Sequence, residues 1–186
     1  MVSTASKNRH SAQRPLRGNA GFTLVELLTV TSIVALLLAI GVPSFRFVTS
    51  SNRATTEING LLGDLQFARG EAIREGQTVK VCSSNDGATC LNTGSTWTTG
   101  WLVMSGTTLL RVQAPFSGTD ILQADNSINT VSFNRDGFSA GLPGAIKFTL
   151  HSSPTNAQYT RCLSVTIIGV LTTQKGGALT AGGTAC

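Results

Sequence analysis

The sequence predicts an α+β fold: a long amino-terminal helix, membrane-spanning and then amphipathic, packed on a carboxy-terminal antiparallel β-rich head. Three observations predict it. Residues 21–45, GFTLVELLTVTSIVALLLAIGVPSF, form a nearly unbroken apolar run. Apolar residues then recur at helical spacing until Glu75. After Gly76 the composition shifts to Gly, Ser and Thr with short β-branched runs between turn residues. One helix and then strands, with no alternation of the two, is the α+β order. A length of 186 residues suits one domain with an appendage. The boundaries expected are 1–21 for a basic leader, 22–43 for a transmembrane helix, 44–76 for an amphipathic helix and 77–186 for the head.

The apolar run from Phe22 to Val42 is about 31 Å long as a helix at ~1.5 Å per residue, enough to cross a hydrocarbon core of about 30 Å. Glu26 is out of place in it. A carboxylate inside hydrocarbon costs roughly 2.5 kcal/mol or more, so it calls for a partner. No Lys or Arg lies between Phe22 and Phe45. A cut between Gly21 and Phe22 would supply one, because the new α-amino group of Phe22 would sit about one helical turn from Glu26. In an assembly that amine could instead meet the Glu26 of a neighbour.

Gly21-Phe22-Thr23-Leu24-Val25-Glu26, with the apolar run and Pro43 behind it, resembles the amino-terminal signature of type IV pilins and type II secretion pseudopilins. The resemblance implies that prepilin peptidase cuts after Gly21 and that Phe22 is then methylated. The rival readings are a plain anchor or a Sec signal peptide cut near Ala39 and Gly41. The apolar run exceeds the ~7–15 residues usual for such a signal and contains an acid.

The charge distribution agrees with an anchor. The net charge is +5, but Lys7, Arg9, Arg14 and Arg17 all precede Phe22 with no acid among them. Without them the remainder is near neutral. Positive residues ahead of a membrane helix hold that end in the cytoplasm and place the chain beyond Pro43 on the far side. The expected location is the inner membrane, single-pass, with the head in the periplasm.

Pro43 removes a backbone hydrogen bond and opposes the preceding turn, so a kink or local unwinding is expected near Gly41 and Pro43. Beyond it, Ile58, Leu61, Leu62, Leu65, Ala68, Ala72 and Ile73 share one side at ~100° per residue. Glu57, Asp64, Glu71 and Arg74 lie outside or at the border of that arc. Arg69 falls inside the arc, and Phe67 projects nearly opposite Ile58, where it could meet a neighbouring subunit. Gly76 suits a left-handed cap.

Strands are expected over 78–82, 100–104, 108–112, 129–133, 145–150 and 161–168, with turns at Asn85-Asp86-Gly87, Asp136-Gly137 and Pro143-Gly144. The segments QFARGEAI (66–73), VKVC (79–82) and GWLVM (100–104) narrow the resemblance to the GspH/FimT family of minor pilins and pseudopilins. It covers most of residues 21–111 and implies a pilin-like fold, a helix carrying a β-rich head.

Cys82, Cys90, Cys162 and Cys186 all lie beyond the anchor, where disulfides form. Three complete pairings are open. The favoured one joins Cys82 to Cys90 across the Asn85-Asp86-Gly87 turn and Cys162 to Cys186 across a Gly-rich tail. A zinc site finds no C-x-x-C pair and only His151 nearby. No cofactor is expected. Enzymatic chemistry is not expected either: His10 lies in the leader, and nothing around His151 marks a nucleophile or an orienting carboxylate. The late glycines, Gly176, Gly177, Gly182 and Gly183, lack the Lys-Ser/Thr ending of a phosphate loop.

Two functions are open to such a chain. One is a structural subunit of a type IV pilus or type II secretion pseudopilus, with other pilins, prepilin peptidase and the inner membrane as partners and Gly21, Phe22, Glu26 and Pro43 as its working residues. The alternative is a DNA-binding minor pilin for natural transformation. FimT-like pilins associated with DNA uptake carry a Gly-Arg-x-Arg motif, whereas the comparable stretch here is Gly169-Val170-Leu171-Thr172. DNA binding would have to rest on Arg135, Lys147, Arg161 and Lys175, and a near-neutral mature charge supplies little phosphate neutralisation.

Overall fold

The computed structural model describes residues 21–151 and 159–176. The chain divides into two compact units between Val42 and Pro43. One helix, α1 (Leu24–Glu75), contributes to both.

In the first unit every described residue is exposed, including Leu27, Leu28, Ile33, Leu36, Leu37 and Ile40. This stretch is long and apolar enough to cross a membrane. Its hydroxyls are satisfied within the helix, as hydrocarbon requires. Thr29 donates to the Glu26 carbonyl at 2.9 Å, Thr31 to that of Leu27 at 3.0 Å, and Ser32 to that of Leu28 at 2.7 Å. Helical conformation runs unbroken through Pro43, so the unwinding expected there does not occur.

In the second unit α1 buries Ala54, Ile58, Leu61, Leu65, Ala68 and Ala72, a stripe that alternates steps of four and three. Gly76 ends the helix in the left-handed region (φ +69°), and its N–H bonds the Ala72 carbonyl at 3.0 Å.

Among the described residues, nine strands come after the helix: β1 (Val79–Ser83), β2 (Trp101–Ser105), β3 (Thr108–Gln113), β4 (Ile121–Ala124), β5 (Thr130–Phe133), β6 (Ser139–Ala140), β7 (Ile146–His151), β8 (Arg161–Val165) and β9 (Leu171–Lys175). They form two antiparallel sheets, ordered β3-β2-β1-β5-β6 and β4-β7-β8-β9. The expected strands all form within a few residues of their expected ends, but 161–168 stops at Val165, where Thr166–Val170 turns back. β4, β6 and β9 have no counterpart among the expected strands; β6 ends the first sheet, and β4 and β9 are the two edges of the second.

The stripe of α1 shares a single core with both sheets. Val79, Val81, Trp101, Val103, Val131 and Phe133 come from the first, and Leu122, Ile146, Phe148, Leu150, Leu163 and Val165 from the second. Trp97 lies between strands, edge-on to Phe148 with centroids 4.9 Å apart, and its indole N–H reaches the Ile128 carbonyl at 2.9 Å. The sheets are also stitched at one end, where Ser139 N–H donates to the Ile167 carbonyl at 3.0 Å.

Candidate functional site

Gly21, Phe22 and Thr23 precede the helix and are exposed, so the Gly21–Phe22 peptide bond lies in non-helical chain. Thr23 caps α1: its Oγ1 accepts from the Glu26 N–H at 3.2 Å, and its carbonyl accepts from the Leu27 N–H at 3.1 Å. Thr-x-x-Glu is one half of a capping box here, a signal legible in residues 23–26 that the charge argument for Glu26 passes over. A carboxylate in the first turn is also favoured by the helix dipole. Glu26 therefore sits at a helix start that suits an acid, beside the residue that would carry a new amine. Residues 1–20, with the leader cations and His10, lie outside the described residues.

Within the head, three side chains are held against each other where α1 meets the segment before β4. The Arg53 guanidinium donates from Nε to Asp120 Oδ2 at 2.6 Å and from its terminal nitrogen to Oδ1 at 2.7 Å. Asp120 is buried, and such two-pronged bonds to a carboxylate are among the stronger polar contacts. Glu57, one turn after Arg53, joins them. Burial first, then the Asp120 charge and a hydrogen bond to Asp120, push its carboxyl up to about 7, against an opposing pull from Arg53. Sequence reasoning misses this cluster, because nothing in the sequence links Asp120 to α1.

The remaining marked residues of α1 find partners inside the head. Arg69, inside the apolar arc, donates to the Gly137 carbonyl at 2.9 Å. Phe67 does not await a neighbouring subunit as its position suggests: the Arg111 guanidinium covers its ring at 3.7 Å and it packs on the core. Asp64 accepts from the buried Trp101 indole at 2.9 Å and from Arg111 at 3.1 Å. Ile73, expected in the core, is half exposed because it lies about 100° round the helix from buried Ala72, on the flank of the stripe.

Cys82 and Cys90 form a disulfide with Cα atoms 5.5 Å apart. The Asp86 carboxylate organises the loop between them, accepting from the Thr89 hydroxyl, from the N–H groups of Thr89 and Ala88, and from Ser84. These bonds, Thr89 foremost, hold its carboxyl well below the usual Asp range. Cys162 is buried and disulfide-bonded. Cys186, like Gly177, Gly182 and Gly183, lies outside the described residues.

The four cations considered for DNA do not form one exposed surface. Arg161 is buried, bonded to Ser51 at 2.8 Å, to Thr55 at 3.1 Å and to the Thr160 carbonyl at 2.9 Å. It ties β8 to α1 instead of facing outward. Lys175 is its exposed register partner, Lys147 sits on β7, and Arg135 lies in the turn after β5.

A family model described as Type II transport protein GspH matches residues 57–169, more than half of the chain. The chain belongs to the GspH family, whose members are minor pilins and pseudopilins. A second model, the prokaryotic N-terminal methylation motif, matches residues 16–42 and so spans Gly21, Phe22 and Glu26. Two crystal structures of the type IV minor pilin FimU from Pseudomonas aeruginosa PAO1 share the fold. One, in space group P65, is 19% identical with a TM-score of 0.51, covering 65% of this chain and 90% of FimU. The other, in space group P21, is 18% identical with a TM-score of 0.53, covering 70% and 92%. No curated protein matches. None of these likenesses supports the DNA-binding alternative, and the commitment of Arg161 to the interior argues against it.

Proposed function

We propose that this GspH-family chain is a membrane-anchored structural subunit of a type IV pilus or type II secretion pseudopilus. Prepilin peptidase cuts between Gly21 and Phe22, residues 22–43 cross the inner membrane, and the head lies in the periplasm. The new Phe22 amine offsets Glu26, either within the subunit or on a neighbouring pilin during assembly. The observation that carries this reading is the coincidence of three features at one place. The methylation motif, matched over residues 16–42, contains both an exposed non-helical Gly21–Phe22 bond and the capped start of a lipid-suited helix, these two within residues 21–26.

Glu26→Ala separates anchoring from assembly. Removing the carboxylate lowers the cost of inserting the helix by roughly 2.5 kcal/mol, so the variant is expected to stay in the inner-membrane fraction. Its recovery in sheared filaments or cross-linked pilin complexes should fall at least tenfold. Normal recovery alongside normal membrane levels would remove Glu26 from assembly. Co-purification with pilus or with secretion subunits distinguishes the two machines.

A further inference from the structure

We propose that Arg53, Asp120 and Glu57 form a proton-dependent clamp that fastens the segment before β4 to α1 and loosens when Glu57 ionises. Glu57 stands one helical turn after Arg53, whose guanidinium is committed to Asp120. Both Asp120 oxygens accept from Arg53, at 2.6 and 2.7 Å. Arg53 is itself backed by Gly118: a Cβ there would lie 3.2 Å from a guanidinium nitrogen, and the backbone has φ +120°. Glu57, by contrast, forms no ion pair among the described residues. Its Oε2 is buried and has no hydrogen-bond partner among the described residues.

A neutral Glu57 carboxyl can donate to Asp120, leaving the trio with one positive and one negative charge. An ionised Glu57 places a second negative charge beside a buried carboxylate and leaves a bare oxygen away from water. The charges that act on Glu57 are Asp120 and Arg53. Two other titratable groups stand on the elements that pack here. His151 faces Ile121 in the β4–β7 register, and Arg161 bonds Ser51 and Thr55 from β8.

The sign is set by the raised Glu57 value of about 7 against an ordinary 4.5. Between those pH values the folded head holds a proton that the unfolded chain has released. Stability therefore falls as pH rises through that window and levels off above it. The clamp thus binds the 118–120 segment more tightly in mildly acidic surroundings than at neutral pH and above.

The test uses the full chain in detergent micelles, comparing wild type with Glu57→Gln, which keeps a neutral hydrogen-bonding side chain at all pH values. Wild-type Tm should drop between pH 5 and pH 8 relative to Glu57→Gln, a comparison in which His151 cancels. Amide exchange at residues 119–121, corrected for its intrinsic pH dependence, should accelerate at least tenfold at pH 8 in wild type only. A Tm difference that is the same at both pH values, with parallel exchange, would overturn the clamp. Should the variant fail to fold, the carboxyl of isotope-labelled Glu57 can be titrated directly in the wild-type chain. A midpoint well above 4.5 supports the proposal and one at the ordinary value defeats it.

Discussion

At the scale of single residues, the polar side chains of α1 are explained by what they hold in the head. Asp64 serves both the Trp101 indole and Arg111, which in turn covers Phe67. Asp64→Ala would leave a buried indole N–H unsatisfied and release the arginine, at a cost of about 1–3 kcal/mol. A lower urea midpoint with an unchanged slope checks this, and an unchanged midpoint would contradict it. Arg161 teaches the opposite lesson about reading charge from sequence. Cations are mostly exposed, which argues for a surface position, yet Ser51 and Thr55, 110 and 106 residues away, draw this one inside. No local pattern encodes such a contact. Thr23 and Glu26, three residues apart, do encode theirs.

At the scale of elements, legibility tracks length and periodicity. The buried stripe of α1 can be read because six positions repeat at helical spacing, and the error comes at Ile73, which lies on the flank of that stripe. β1, β2, β5 and β7 are marked by β-branched or aromatic residues between turn signals. β4, with sequence ILQA, and β9, with LTTQK, are short and lie at the two edges of the second sheet. Edge strands bury one row of side chains at most, so composition marks them weakly. The Cys82–Cys90 disulfide is legible because its loop contains a turn sequence. Between β1 and β3, Gly100 is fixed by backbone approach. It has φ +105°, and a Cβ there would lie 2.3 Å from the Gln113 carbonyl oxygen. Gly100→Ala should lower stability by at least ~1–3 kcal/mol from backbone strain alone. A thermal melt within a degree of wild type would show that the β2–β3 hairpin can shift to accept it.

At the scale of the whole molecule, an apolar helix of membrane length begins within the matched methylation motif, and the same helix supplies one wall of the head's core. The candidate site is largely visible in residues 21–26, because a carboxylate in an apolar run is conspicuous in any sequence. The Arg53–Asp120–Glu57 cluster is invisible there, since it depends on the chain returning to α1 some sixty-seven residues later. The DNA-binding alternative gains no support at this scale, with one of its four cations buried. The proposed function makes this chain an anchored subunit whose acid in lipid is balanced by an amine that only processing creates. Intact-mass and terminal-peptide mass spectrometry of the membrane-extracted protein tests that claim most directly. A mature chain beginning at methylated Phe22 is the predicted result, and a terminus at any other position would contradict it.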